Sequence, residues 1–151
     1  MRLLVSTDFA LRVLMLLATS PPERPLNVEA LSRALGDLSR NHLHKIVQEL
    51  AALGVVRTVR GVGGGVLLAA APRKIRIGSL IRQLEGDQPV VECFRADGGD
   101  CILTTGCRLR GMIADAREDF YRSLDGHTLA DCLPRSRAVA LTDKRARAAR
   151  Q

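Results

Sequence analysis

Three cysteines stand close together in the second half of the chain, between positions 93 and 107. Seven residues separate Cys93 from Cys101, and five separate Cys101 from Cys107. The glycines between them lower the steric cost of wrapping the backbone around a compact object, and the polar residues suit turns. Iron-sulfur clusters are held by thiolates, usually four. The stretch therefore predicts a cofactor loop in which one coordination position is filled from elsewhere.

Two other uses of these cysteines stay open. Zinc favours ligands two to four residues apart, and the loop has no Cys-x-x-Cys pair, although His127 or Cys132 could complete a tetrahedral site. A disulfide is the other alternative, but the start of the chain lacks an uninterrupted apolar segment that would direct secretion. We therefore expect a cytoplasmic protein with reduced thiols. Cys132 stands where an apolar residue would fit, and we expect it to be a small buried side chain.

Composition and charge indicate a mainly aliphatic protein with one basic segment. Of the 151 residues, 46% are hydrophobic and 3% aromatic, which is enough for one core. No run approaches the ~18 consecutive apolar residues of a membrane span. Residues 39–76 carry seven basic side chains and one acidic side chain, whereas residues 77–133 carry six and ten. The basic segment is the candidate nucleic-acid surface, and the acidic segment holds the cysteines.

Helical periodicity predicts three helices in the first third of the chain. Ser6 or Thr7 caps the first, whose apolar stripe comprises Leu11, Leu14, Leu17 and Ala18. The second runs from its cap Asn27 to Gly36, and Ser39 caps the third. Two short helices joined by a brief turn predict a helix-turn-helix. The candidate DNA contacts on its second helix are Ser39, Arg40, Asn41, His44 and Lys45, and the alternative is an ordinary solvated polar face.

A glycine-rich turn after these helices predicts a β-hairpin. Residues 55–59 and 66–70 have the composition of strands, and the run between them tolerates positive φ. Such a hairpin next to a helix-turn-helix is a wing, where Arg57 and Arg60 could reach the DNA backbone or minor groove and Gly63 and Gly64 form the tip. The run lacks the Gly-Lys-Ser/Thr ending of a nucleotide-phosphate loop.

The second half of the chain predicts two more helices and a basic tail. One helix ends at Gly86, and a longer one spans 108–124 with an apolar stripe that outruns the core beneath it. A long amphipathic helix beyond a winged helix-turn-helix usually pairs with its copy, and a two-fold dimer matches palindromic double-stranded DNA. Thr128 and Asp131 form a capping-box pattern. The composition of residues 134–151 predicts a disordered tail that adds nonspecific DNA affinity.

The predicted fold class is mainly α with a small β-hairpin wing, in which a winged helix-turn-helix is followed by a long dimerisation helix. The predicted domains are a DNA-binding domain over 1–86, a cluster-binding loop with the dimerisation helix over 87–133, and the tail over 134–151.

Six segments, in this order along residues 1 to about 133, resemble the NsrR branch of the iron-sulfur winged-helix regulators of the Rrf-two superfamily. They are Thr7-Asp-Phe-Ala-Leu-Arg12, Ser39-Arg-Asn-His-Leu-His-Lys-Ile46, Val59-Arg-Gly-Val-Gly-Gly-Gly65, the three-cysteine loop, Cys107-Arg-Leu and Leu124-Asp-Gly-His-Thr-Leu-Ala-Asp131. The resemblance implies a homodimeric repressor, not an enzyme. Its cluster-bound form binds operator DNA and releases this DNA when nitric oxide attacks the cluster. The cluster is [4Fe–4S] in our first choice and [2Fe–2S] in the alternative.

The resemblance also implies a ligand set. Cys93, Cys101 and Cys107 hold the cluster, Asp8 of the other subunit supplies the fourth ligand, and Arg12 lies near it. On residue spacing alone, Asp8 and Arg12 would be an exposed ion pair on one helix face. A carboxylate oxygen is a harder ligand than a thiolate and should leave one corner of the cluster open to a small diatomic molecule.

Other functions remain as alternatives. The interval between Cys93 and Cys101 is longer than is usual in the NsrR branch and resembles that of the iron-responsive regulators. The cluster-biogenesis regulators of the superfamily are similar too, but Arg110 stands where their histidine ligand lies. A thiol redox enzyme or cluster carrier is the alternative from another class, and against it the chain has no Cys-x-x-Cys pair.

Overall fold

Five α-helices and one β-hairpin make up the part of the chain that the computed structural model describes, residues 3–86, 88–103 and 105–134. The elements are α1 (Val5–Thr19), α2 (Val28–Ala34), α3 (Arg40–Ala52), β1 (Val56–Val59), β2 (Gly65–Leu68), α4 (Ile77–Glu85) and α5 (Arg108–Asp125), with short 3₁₀ turns at Pro72–Lys74, Glu92–Phe94 and Leu129–Cys132. The predicted class, mainly α with a hairpin wing, is confirmed. None of these helices is both long enough and apolar enough to cross a membrane.

Local side-chain caps start both helices of the helix-turn-helix, as predicted. Asn27 Oδ1 accepts a hydrogen bond from the Ala30 N–H at 2.7 Å, and Ser39 Oγ accepts one from the His42 N–H at 3.3 Å. Gly36, which was predicted to end the first of them, has a φ of 79°. Asn27 thus fixes where α2 begins, Gly36 allows the chain to turn after it, and Ser39 fixes where α3 begins.

The start of α1 differs from the prediction. The helix begins at Val5, and its N-cap residue Leu4 has no side-chain cap, so the expected cap at Ser6 or Thr7 is wrong. Thr7 lies within the first turn and is fully buried, and its Oγ1 has no hydrogen-bond partner in the described structure. The buried face of α1 consequently consists of Thr7, Ala10, Val13, Leu14 and Leu17, while Leu11 and Ala18 are only half-buried.

The wing is fastened to the segment that precedes α2. β1 and β2 pair antiparallel from Val56↔Leu68 to Val59↔Gly65. Val66 also pairs with Leu26 on its other side, through hydrogen bonds of 2.9 and 3.1 Å between their backbones. A Cβ at position 65 would lie 2.5 Å from the Leu26 carbonyl oxygen, so this position requires glycine. The root of the wing therefore has a fixed position relative to the helix-turn-helix.

Helices α4 and α5 approach each other closely at Gly78. A Cβ there would lie 2.4 Å from the Tyr121 carbonyl oxygen, and only glycine permits this backbone contact. Beside it, Arg82 of α4 forms ion pairs with Glu118 at 2.9 Å and Asp125 at 3.3 Å and lies over the Tyr121 ring at 4.8 Å. Packing and ion pairs together fix α5 against α4.

After α5 the chain returns to the domain that starts the sequence. The predicted capping box is confirmed, since the Thr128 N–H donates to Asp131 Oδ2 at 2.8 Å. The Leu129 N–H donates to the Ile75 carbonyl at 2.9 Å, and the Leu129 side chain is fully buried in the same core as Leu14. The domain division at residue 86 stays a prediction. The predicted tail lies, from residue 135 onward, outside the described residues.

Candidate functional site

The three predicted cysteine ligands lie along one segment between α4 and α5, which we call the cysteine segment (residues 88–107). Cys93 is in the 3₁₀ turn Glu92–Phe94, Cys101 follows the glycine turn, and Cys107 is the N-cap residue of α5. All three are partly buried, and none of the four cysteines of the chain is in a disulfide. The segment is described except for position 104.

The first part of the cysteine segment is a compact turn. Arg95 makes two hydrogen bonds to Asp97, at 2.6 and 3.0 Å, and an ion pair of 3.3 Å with Glu92. The pKa of Asp97 is lowered, first by the Arg95 hydrogen bond and then by the Gly99 N–H, so this carboxylate stays ionised at neutral pH. The backbone of Gly99 approaches that of Glu92 so closely that a Cβ would lie 2.2 Å from the Glu92 carbonyl oxygen. The turn thus brings the flanks of Cys93 and Cys101 together.

The described residues do not form a site for a single metal ion. No three His, Cys, Asp or Glu side chains among them come close enough to share one ion. A tetrahedral zinc site is thus not preformed in this conformation. An iron-sulfur cluster distributes its thiolate ligands over several iron atoms, so its ligands need not approach one another as closely. The chemistry of the donor set, soft thiols on a segment that turns at glycines, fits a cluster.

A cleft of about 630 Å³ opens beside Cys107, between the cysteine segment and α5. Phe94 and Cys107 line it on one side, and Arg110, Ala114 and Arg117 line it on the other. The guanidinium groups of Arg110 and Arg117 lie 5.9 and 5.3 Å from the centre of the Phe94 ring. The two cations make the wall of the cleft positive, which favours a negatively charged group such as a thiolate-bound cluster or a carboxylate.

The sequence interpretation missed this cleft, although a signal was present. Phe94 directly follows Cys93, and Arg110 and Arg117 are seven residues apart, which is two turns on one face of a helix.

Asp8 and Arg12 form a bidentate ion pair on α1. The Asp8 carboxylate accepts from Arg12 Nη2 at 2.6 Å and from Nε at 3.1 Å, and the side chains are 48% and 55% exposed, respectively. The Arg12 guanidinium also lies 5.6 Å from the centre of the Phe9 ring. Within one chain Asp8 does not join the cysteines in a metal-binding group. The carboxylate is accessible from outside the subunit, so a second chain could receive it.

The candidate DNA contacts on α3 lie on its exposed face. Arg40, Asn41, His44 and Lys45 are exposed, while Leu43, Ile46, Val47 and Leu50 hold the opposite face in the core. Arg40 lies 3.6 Å from Glu29 in a surface ion pair that DNA phosphate could replace. The helix therefore presents donors and acceptors from its first two turns, as a recognition helix does.

The wing presents two further cations. Arg57 and Arg60 are exposed. Gly63 has a φ of 79°, and a Cβ at Gly64 would lie 2.3 Å from the Val59 carbonyl oxygen, so the tip requires glycine at both positions. A tip without side chains at these positions lets the backbone approach a phosphate closely.

Cys132 differs from the prediction, because it is exposed and not buried. Only Leu129, the first residue of its 3₁₀ turn, enters the core, and the turn ends at the surface. Partial burial of the thiol, and then the negative charge of Asp131, raise the pKa of Cys132. A raised pKa reduces the thiolate fraction at neutral pH and makes this thiol a poorer metal ligand.

Known proteins are similar to most of this chain in sequence. A family model described as Rrf2, iron-dependent transcriptional regulator, matches residues 4–135. The HTH-type transcriptional regulator NsrR of Geobacillus kaustophilus is 44% identical over 133 residues, which are 88% of this chain and 90% of that relative.

Two solved structures have the same fold. IscR of T. potens is similar with a TM-score of 0.68 and 25% identity, over 87% of this chain and 85% of that chain. CymR, the global cysteine regulator of B. subtilis, is similar with a TM-score of 0.66 and 26% identity, over 87% and 95%. The residues that the family model matches, 4–135, include the helix-turn-helix, the wing, the cysteine segment and α5.

Proposed function

The chain belongs to the Rrf2 family of transcriptional regulators, and from this premise we propose that it is a homodimeric repressor that holds an iron-sulfur cluster and releases operator DNA in response to nitric oxide. It is a DNA-binding transcriptional regulator and not an enzyme. It acts in the cytoplasm, where its operator DNA is.

The observation that carries the proposal is the cysteine segment, in a chain 44% identical to a regulator named NsrR. Cys93, Cys101 and Cys107 of one subunit and Asp8 of the other would hold the cluster, of the [4Fe–4S] type in our first choice. When bound, the cluster supplies iron to which nitric oxide can attach. Arg110 and Arg117 supply positive charge beside Cys107, which would attract a negatively charged group there.

Asp8 would give up part of its ion pair with Arg12 when the dimer binds its cluster. In the single chain the Asp8 carboxylate uses both oxygens on Arg12. An exposed pair of this kind is worth about 0.3 to 0.5 kcal/mol, so giving up part of it costs little. Arg12 would then stay beside the carboxylate and balance part of its negative charge.

The exposed face of α3 would read the operator from the major groove. Arg40 and Asn41 are the candidates for base contacts, with Ser39, His44 and Lys45 at the phosphates. Arg57 and Arg60 of the wing would contact the DNA backbone or the minor groove. Because the root of the wing is fastened to Leu26, these contacts would form without rearrangement of the hairpin.

Helix α5 would form the dimer. Its 18 residues span about 27 Å, and among the described residues Tyr121 is the only buried one on this helix. Leu109 and Met112 are both 60% exposed, and with Ile113 and Phe120 they follow helical spacing along one stripe. A second copy of the same helix covers such a stripe by two-fold symmetry, and a two-fold dimer matches a palindromic operator.

An iron-responsive regulator is the second candidate, and the seven-residue interval between Cys93 and Cys101 favours it. The two candidates share the ligands and the DNA contacts and differ only in the signal.

Anaerobic purification tests the proposal. We expect iron and acid-labile sulfide in near-equal amounts, a visible absorption band, and salt-dependent binding to a palindromic duplex but not to a scrambled one. A hundredfold loss of operator affinity on adding a nitric-oxide donor corresponds to about 2.7 kcal/mol between the two states. Zinc without sulfide would contradict the cluster, and release by an iron chelator but not by nitric oxide would favour the iron-responsive candidate.

A further inference from the structure

Glu85, the last residue of α4, makes a contact to the start of α1. Its carboxylate is buried, with the residue only 9% exposed, and Oε1 accepts a hydrogen bond from the Leu4 N–H at 3.0 Å. Leu4 is the N-cap residue of α1 and lacks a side-chain cap of its own. Glu85 thus accepts from the N-cap N–H of α1, as a carboxylate in the first turn does in a capping box, but it belongs to a distant part of the chain. Its negative charge also faces the positive end of the α1 dipole.

The backbone of the same residue holds the start of the cysteine segment. The Gln88 N–H donates to the Glu85 carbonyl at 3.3 Å, and Gly86, with a φ of 54°, turns the chain out of α4. One residue therefore contacts the entry of the cysteine segment with its backbone and the N-terminus of α1 with its side chain.

Helix α1 continues this connection to the recognition helix. The Phe9 ring lies edge-on to the His42 ring, with 5.9 Å between the ring centres. His42 is in the first turn of α3, where its N–H is held by the Ser39 cap. Contacts thus run from the cysteine segment through Glu85, Leu4 and Phe9 to the turn of α3 that carries Arg40 and Asn41.

We infer that Glu85 is a positioning residue that couples the state of the cysteine segment to the position of the recognition helix. The inference rests on the proposed function. On this inference, filling the segment shifts the point at which the chain leaves α4, and Glu85 passes that displacement to α1. Breaking this hydrogen bond would leave a largely buried carboxylate without its partner, which carries an energetic penalty. The two groups therefore move together.

The coupling is measured as the ratio of operator Kd values in the cluster-free and cluster-loaded protein. We expect Glu85→Ala to lower this ratio by about two- to thirtyfold, because residues along a coupling route change the coupling by about 0.5 to 2 kcal/mol. Glu85→Gln keeps the shape and an acceptor oxygen but loses the charge, and we expect an intermediate ratio. Glu118→Gln is the matched control, since it removes a carboxylate from the contact of α4 with α5 and none from α1. Its ratio should equal that of wild type.

A merely structural role would lower the melting temperature and leave the ratio unchanged. A wild-type ratio in both Glu85 variants, or in Glu85→Gln if Glu85→Ala does not fold, overturns the inference. If the wild-type protein binds the operator equally well with and without the cluster, the proposed function is refuted instead.

A second measurement needs no cluster. Amide hydrogen exchange of the cluster-free protein should become faster in Glu85→Ala both at residues 4–8 and in the first turn of α3, relative to Glu118→Gln. Faster exchange at residues 4–8 alone would show that the contact holds α1 without reaching the recognition helix, and would also overturn the inference.

Discussion

Cys132 offers a matched control for the three thiols of the cysteine segment. We expect Cys93→Ala, Cys101→Ala and Cys107→Ala each to lose most of the iron after anaerobic reconstitution, because each removes a thiolate ligand. Cys132→Ala should retain the iron of wild type, since this thiol is remote from the segment in sequence and has a raised pKa. Iron and sulfide per subunit are the measurement. An empty site in Cys132→Ala together with a full site in one of the other three would refute the ligand assignment.

The Asp8 carboxylate distinguishes a cluster ligand from a simple ion pair. If it is a ligand, Asp8→Ala should leave an iron that binds solvent, and Asp8→Cys should give an all-thiolate cluster that reacts more slowly with nitric oxide. Stability should fall by less than about 0.5 kcal/mol in either variant, because the pair with Arg12 is exposed.

Stopped-flow nitrosylation of wild type and both Asp8 variants measures the effect. Identical rates and spectra in all three, with a small stability loss shared by Arg12→Ala, would mean that Asp8 only pairs with Arg12.

Residue types and spacing were sufficient to predict the exposed pair on α1 and the capping box at Thr128, while the cysteine ligands stay a prediction. Residue types and spacing were insufficient to predict the hydrogen bond of Glu85 to Leu4, because the two residues are 81 positions apart in sequence. The same limit explains Cys132, whose burial depends on how far its turn enters a core built by other elements. An exchange of Arg12 for a metal by Asp8 would be set by a second subunit, which leaves no spacing pattern in the sequence of one chain.

At the scale of elements, α3 and the wing should contribute differently to DNA binding. Loss of a base contact in Asn41→Ala should cost about 1 to 3 kcal/mol on the operator and relax one position of its sequence. Loss of a phosphate contact in Arg57→Ala or Arg60→Ala should weaken operator and random DNA alike and flatten the salt dependence by about one unit.

Titrations of operator and random duplexes over a range of salt concentrations separate these effects. Equal losses on both duplexes for Asn41→Ala would remove this residue from base recognition.

Elements whose ends are set by local residues agree with their predicted bounds. Asn27 and Ser39 lie next to the helices that they cap, and the wing strands end within two residues of the predicted positions. Helix α1 starts before its predicted cap, since the group that satisfies its first N–H belongs to α4. The bridge of Leu26 to Val66 was likewise missed, because a single residue pair leaves no periodic pattern.

For the whole molecule, the apolar stripe of α5 predicts the oligomeric state. Met112→Glu places a charge in the proposed dimer interface and should yield monomers that bind a palindromic duplex no better than a half-site. Sedimentation and operator titration measure both results. Arg122→Glu introduces the same side chain at an exposed position outside the stripe and should leave the dimer intact. A dimeric Met112→Glu protein would mean that subunits associate through another surface.

The contact between Leu4 and Glu85 also has a consequence for how the protein is made. The two residues are 81 positions apart, so during synthesis at ~5–20 residues per second the nascent α1 waits roughly 4–16 s for its capping carboxylate. Contacts of such long sequence separation close late in folding, because the intervening chain must lose its freedom first. The helix that carries Asp8 therefore reaches its final position only after the recognition helix and the wing have left the ribosome. The nascent chain can thus form its DNA-reading elements before α1 gains the carboxylate that caps it.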